Sequence, residues 1–144
     1  MNEKKDTFST FHPVINFTFY IGAFLLGMML IHPVFLAVSA ITAAAFYITV
    51  KGRKAKSFLF GMIPLFLMLS FINPLFNTYG DRVLFTWWNG RPYTLEALAY
   101  GTSLAAMVVT ILLWFASYSF VMTSDKFLYL FGKAAPSVSL VLTM

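Results

Sequence analysis

Apolar residues run almost unbroken over positions 14–31, and again over 34–50, with only His32-Pro33 between them. A helix needs about 20 apolar residues to cross a hydrocarbon core about 30 Å thick. One helix over 14–50 would be about 55 Å long, so the pattern predicts an antiparallel pair with His32-Pro33 at its tip. Pro13 and Pro33 each suit the first turn of a helix, where a missing N–H costs nothing. A third apolar run covers 58–72 and holds Gly61 and Pro64. Pro64 removes one backbone hydrogen bond and predicts a kink, which membrane helices tolerate when neighbours cover it. A fourth run covers 95–122, with Thr94 as its N-cap and Glu96 in its first turn. At about 42 Å that helix must tilt or project beyond the core.

The polar breaks carry their own signals. Asn73-Pro74 disfavours helix at Asn73 and predicts a stop at 72. Tyr79-Gly80-Asp81 reads as a turn. Asn89-Gly90 predicts a β-hairpin closed by a type I′ turn, and residues 82–88, rich in aromatic and β-branched side chains, fit its first strand. Trp87, Trp88 and Tyr93 are expected at the lipid–water boundary. Lys51-Gly52-Arg53-Lys54-Ala55-Lys56 ends the second helix, with Ser57 as the cap of the third. Ser124-Asp125 opens a short amphipathic helix over 126–131, with Gly132 as its stop. Pro136 begins another helix, and the sequence ends partway into it. The expectation is therefore a fragment or truncated gene product, with a transmembrane domain over 1–122 and an incomplete cytoplasmic region over 123–144.

Composition agrees with a membrane class. Of 144 residues, 60% are hydrophobic and 10% charged, whereas soluble domains carry about 25% charged residues. The net charge of +5 does not imply nucleic acid, because the basic residues flank apolar runs instead of forming a dense patch. There is no cysteine, hence no disulfide framework and no thiolate chemistry. Ala37-Val38-Ser39-Ala40 faintly resembles a signal-peptide cleavage site, but the apolar stretch before it far exceeds an h-region of about 7–15 residues. The first helices read as retained.

Four spans with the N-terminus inside put Lys4, Lys5, Lys51, Arg53, Lys54, Lys56, Lys126 and Lys133 in the cytoplasm. Only Arg82 and Arg91 then lie outside, as the positive-inside rule requires. The fold class expected is an all-α integral membrane protein of four spans with a small outer hairpin. No catalytic, cofactor-binding or metal-ligating residue is assigned. His12 and His32 fall on opposite faces in this topology and do not converge on a metal. No ionisable residue lies mid-span, which removes support for a self-contained pump. Asp81, Arg82, Arg91 and Glu96 are candidates only for exposed ion pairs, worth about 0–1 kcal/mol each. Ala23–Gly27, Ala40–Ala44 and Gly101–Ala105 are spaced four apart, which puts each pair on one helix face and permits close helix approach.

The order of five features resembles a known family. They are His12-Pro13, His32-Pro33, Asn73-Pro74-Leu75-Phe76-Asn77 with Gly80, Thr94-Leu95-Glu96-Ala97-Leu98-Ala99-Tyr100-Gly101, and Thr123-Ser124-Asp125 with Leu128 and Pro136. Together they cover most of the chain and resemble the transmembrane T component of energy-coupling factor (ECF) transporters, the family that includes the cobalt transport membrane protein. The resemblance implies a non-catalytic scaffold in a bacterial or archaeal membrane. It joins ATP-binding subunits to a substrate-binding membrane subunit for uptake of a vitamin or transition-metal ion. It also implies coupling helices with Ala-Arg-Gly-like motifs after the last span, and this sequence contains none. Thr78 and Tyr79 stand where many relatives have a histidine and a basic residue. The alternative is a small membrane enzyme or substrate-binding permease subunit, for which Asn73, Asn77 and Trp87 are the only polar pocket candidates.

Overall fold

The computed structural model describes residues 7–29, 31–88 and 90–134. The expected features at Lys4, Lys5, Asn89, Pro136 and the run 138–144 lie outside the described residues, as do the side chains of Phe131 and Lys133.

A 3-10 turn at Thr7–Thr10 leads into α1 (Pro13–Met29), α2 (Pro33–Lys51), α3 (Ala55–Phe76) and α4 (Leu95–Val121), with α5 (Ser124–Ala134) last. Strands β1 (Val83–Thr86) and β2 (Pro92–Thr94) form a two-stranded antiparallel sheet between α3 and α4. The starts of α2 and α4 follow the sequence signals. His32 is extended at the N-cap of α2 with Pro33 behind it. The Thr94 hydroxyl accepts the Ala97 N–H at 3.3 Å.

α4 is the axis of the bundle, and α1, α2 and α3 all pack against it. Paired contacts fix their directions. Gly101 near the start of α4 meets Ser70 and Asn73 near the end of α3, so these two helices are antiparallel. Tyr20 and Phe24 of α1 meet Tyr118 and Phe115 respectively, so α1 also opposes α4. Ser39 of α2 meets Trp114, while Lys51 sits 5.5 Å from the Phe120 ring, so α2 runs parallel to α4. Neighbours in sequence thus alternate in direction. The core gathers Tyr20, Ala43, Leu113, Trp114 and Val121. Large apolar side chains also face outward, including Phe60 at 75% exposure and Ile41 at 70%. Water would penalise that surface and lipid would not. Two helical stretches, Pro33–Phe76 and Leu95–Val121, are long and apolar enough to cross a membrane. The first bends where Gly52 takes φ 62° between α2 and a 3-10 turn, Gly52–Lys54.

Several boundaries differ from the sequence reading. α3 does not stop at 72; it runs through Asn73-Pro74 to Phe76, and the Asn77 N–H bonds Asn73 O at 2.9 Å. Pro74 is buried, and packing against α4 holds a turn that the local proline rule disfavours. The other end of α3 starts at Ala55, directly after the 3-10 turn, so Ser57 caps nothing. α5 likewise continues past Gly132, since glycine tolerates a helix interior at about 1 kcal/mol.

The hairpin differs in its turn. Trp87 N–H donates to Arg91 O at 3.0 Å and Gly90 N–H to Trp87 O at 2.9 Å. Gly90 has φ 75°. The connection is therefore a three-residue loop ending in a left-handed glycine, and not the two-residue I′ turn expected. Phe85 pairs with Tyr93 and Thr86 with Pro92, with an irregularity between Val83 and Phe85.

Candidate functional site

A groove of about 880 Å³ lies between α1 and α2, floored by Trp114 of α4. Its origin is compositional. Thr18, Gly22, Ala23 and Gly27 line the α1 wall, and Phe35, Ser39 and Thr42 the α2 wall. No atom outside its own surroundings lies within 4 Å of where a Cβ at Gly22 or Gly27 would sit. The expected Ala23–Gly27 face thus borders the groove, whereas Gly101 and Ala105 are fully inside the bundle. The Trp114 Nε1–H donates to Ser39 Oγ at 3.4 Å, which occupies the indole's only donor. What remains is a largely apolar trough fit for an aliphatic guest or a partner helix.

Cationic side chains collect at one end of the bundle. The exposed Lys51, Arg53, Lys54 and Lys56 cluster where α2 meets α3, at the end shared by the α1 start and the α4 terminus. Lys126 of α5 joins them there. Its Nζ donates to Val121 O at 3.0 Å and to Ser9 O, which ties α5 to both the end of α4 and the N-terminal turn. A cation over terminal helix carbonyls is favoured by the helix dipole. Tyr129 of α5 adds an edge contact to His12, with ring centroids 5.6 Å apart. Sequence pattern located α5 but missed this clasp, because nothing in its own heptad marks Lys126 as inward-facing.

The opposite end holds His32 and the hairpin. His12 and His32 therefore stand far apart in the fold, and no group of three His, Asp or Glu side chains converges among the described residues. Asn73, Asn77 and Trp87 each have contacts of their own. Asn73 presses against Gly101 with its Oδ1 buried and unpaired among the described residues. Asn77 accepts the Tyr79 N–H, and Trp87 contacts Phe85 and Trp88. Glu96 accepts the Arg82 backbone N–H at 3.3 Å, an interaction of its carboxylate that differs from the ion pairing considered for this cluster.

The aromatic belt splits. Trp88 is 95% exposed. Tyr93, expected beside it, is buried within the protein: it stacks on Phe85 with centroids 4.7 Å apart and donates its hydroxyl to Phe71 O at 3.4 Å. The short β2 turns its ring inward as a strut under the end of α3, and burial pushes its phenol pKa above the ordinary value. Asn16 of α1 was also missed. It is fully buried with neither side-chain atom hydrogen-bonded among the described residues.

No family model, curated protein or solved structure matches this chain.

Proposed function

We propose that the chain is a multi-pass membrane scaffold of the ECF T-component type, with α1 to α4 crossing the bilayer and the N-terminus in the cytoplasm. It would join a substrate-binding membrane subunit to cytoplasmic ATPases for uptake of a vitamin or transition-metal ion, and would have no catalysis of its own. The observation that carries this reading is the polarity of the bundle. The basic residues and the clasped amphipathic α5 share one end, while Trp88, Arg82 and Arg91 occupy the hairpin at the other. Positive-inside placement then makes the α5 end cytoplasmic, where ATPases work. The outward-facing apolar side chains and the α1–α2 groove, with its small residues, supply surface for a membrane partner.

Co-purification tests it. The tagged chain is expressed with the ATPase and substrate-binding subunits of such a transporter from the same genome. The substrate-binding subunit should co-purify in stoichiometric amount. The ATPases should join only when helices bearing Ala-Arg-Gly-type motifs are added in cis after α5. Retention of neither subunit by either version contradicts the scaffold reading. Full ATPase capture by the 144 residues alone would move the docking surface into this bundle.

A further inference from the structure

A second cavity, of about 630 Å³, lies at the hairpin end, away from the α1–α2 groove. Asn77, Tyr79, Glu96, Ala99, Tyr100 and Ser103 line it. Glu96, Ala99, Tyr100 and Ser103 fall at i, i+3, i+4 and i+7, so they form one stripe down the first turns of α4. In a helix otherwise apolar enough to cross a membrane, this stripe offers a carboxylate, a phenol ring and a hydroxyl around one small floor residue.

The opposite wall is held rigidly. Tyr79 N–H donates to Asn77 Oδ1 at 3.2 Å, and Tyr79 O accepts the hydroxyl of the fully buried Thr94 at 2.5 Å. Both backbone groups of Tyr79 are therefore fixed while its ring is 78% exposed. Gly80, at φ 121°, lets the chain close against the Glu96 side chain, where a Cβ would collide with that carboxylate. The Glu96 Oε2 is anchored by the Arg82 N–H. Neither Tyr79 nor Tyr100 stacks with another ring among the described residues, in contrast to the dense ring contacts of the core. No basic side chain lines the cavity.

One fixed carboxylate beside two open tyrosine faces is the chemistry that recognises an organic cation: charge pairs with the carboxylate, and the ring quadrupoles attract the ammonium group. The geometry points to this cavity as a binding site for an organic ammonium group, either the headgroup of a zwitterionic lipid or a free amine. The site does not depend on the transporter reading.

The test uses the full chain in phosphatidylglycerol nanodiscs, titrated with choline and with its uncharged isostere 3,3-dimethylbutanol, and followed by ligand-observed NMR. Choline should bind saturably and about tenfold more tightly than the isostere. Glu96→Gln should weaken choline about tenfold. Tyr100→Leu should weaken it about fivefold, while Tyr100→Phe, which keeps the ring, should leave it unchanged. Tyr100 is half exposed, so this pair reads the ring even where Glu96→Gln disturbs the Arg82 contact. Nanodiscs containing phosphatidylcholine distinguish the two sources: loss of apparent choline affinity there identifies the lipid headgroup, and unchanged affinity identifies a free amine. Equal affinity for choline and the isostere, or no saturable choline binding, overturns the proposal.

Discussion

Gly101 of α4 lies so close to Asn73 of α3 that a Cβ at position 101 would sit 2.6 Å from the Asn73 Cβ and 2.9 Å from Ser70 O. Ser70 is the residue four before Pro74, so its carbonyl is the one left without an N–H partner by the proline. The close approach brings a Cα–H of Gly101 toward that carbonyl, a weak but fitting contact. The glycine and the proline therefore work as a pair, one opening space and the other freeing an acceptor.

Gly101→Ala should destabilise the bundle by about 1–3 kcal/mol, although alanine is the better helix former by about 1 kcal/mol. Gly61→Ala is the control, because nothing lies within 4 Å of its Cβ position. That change should be neutral or stabilising by up to about 1 kcal/mol. Thermal unfolding in detergent compares them; equal melting temperatures would show that the α3–α4 approach is not tight.

Tyr93 predicts an alkaline limit to stability. Its phenol has an ordinary pKa of 10.0, raised in the fold by desolvation. The folded state thus holds the proton more tightly than the unfolded one. Its contribution is fully present below pH 10.0 and is lost as pH rises through the raised value. Tyr93→Phe should flatten this part of the stability–pH curve while costing about 1 kcal/mol or less at neutral pH, given the long hydroxyl contact. Tyr93→Ala, which also removes the stack on Phe85, should cost about 3–5 kcal/mol. Chemical denaturation across pH reads both; a Phe variant with an unchanged alkaline slope would remove Tyr93 from the account.

Lys126 predicts a separable clasp. Lys126→Met keeps the aliphatic stem but loses both charge-assisted bonds, and should weaken α5 docking by about 1–3 kcal/mol. Hydrogen exchange in α5 should accelerate in this variant and stay unchanged in Lys54→Met, whose side chain is exposed. Unaltered α5 protection in Lys126→Met would mean that Tyr129 and the apolar face suffice.

Much of this architecture is legible locally. Pro13, Pro33 and Thr94 mark helix starts through backbone chemistry that needs no neighbour. The hairpin is legible from its glycine and aromatic strand, though the extra loop residue depends on how Trp87 pairs with Arg91. What could not be read is non-local. Pro74 reads as a stop until Gly101 is seen beside it. Tyr93 reads as a boundary aromatic, and its stack on Phe85 and its bond to Phe71 O come from residues distant in sequence. The ammonium cavity needs Asn77 and Tyr79 brought back over α4 by Gly80, a closure invisible in the spacing of residues that lie at least 16 apart from Glu96 and beyond.

The proposed topology puts the two ends of this bundle on opposite sides of a membrane. The chain has no cysteine, so single cysteines report cleanly. Arg53→Cys marks the end shared with α5, and Trp88→Cys, at a position 95% exposed, marks the hairpin. In intact cells a membrane-impermeant maleimide should label position 88 and leave position 53 unlabelled until the membrane is opened. Labelling of both positions from outside, or of position 53 alone, would contradict the account.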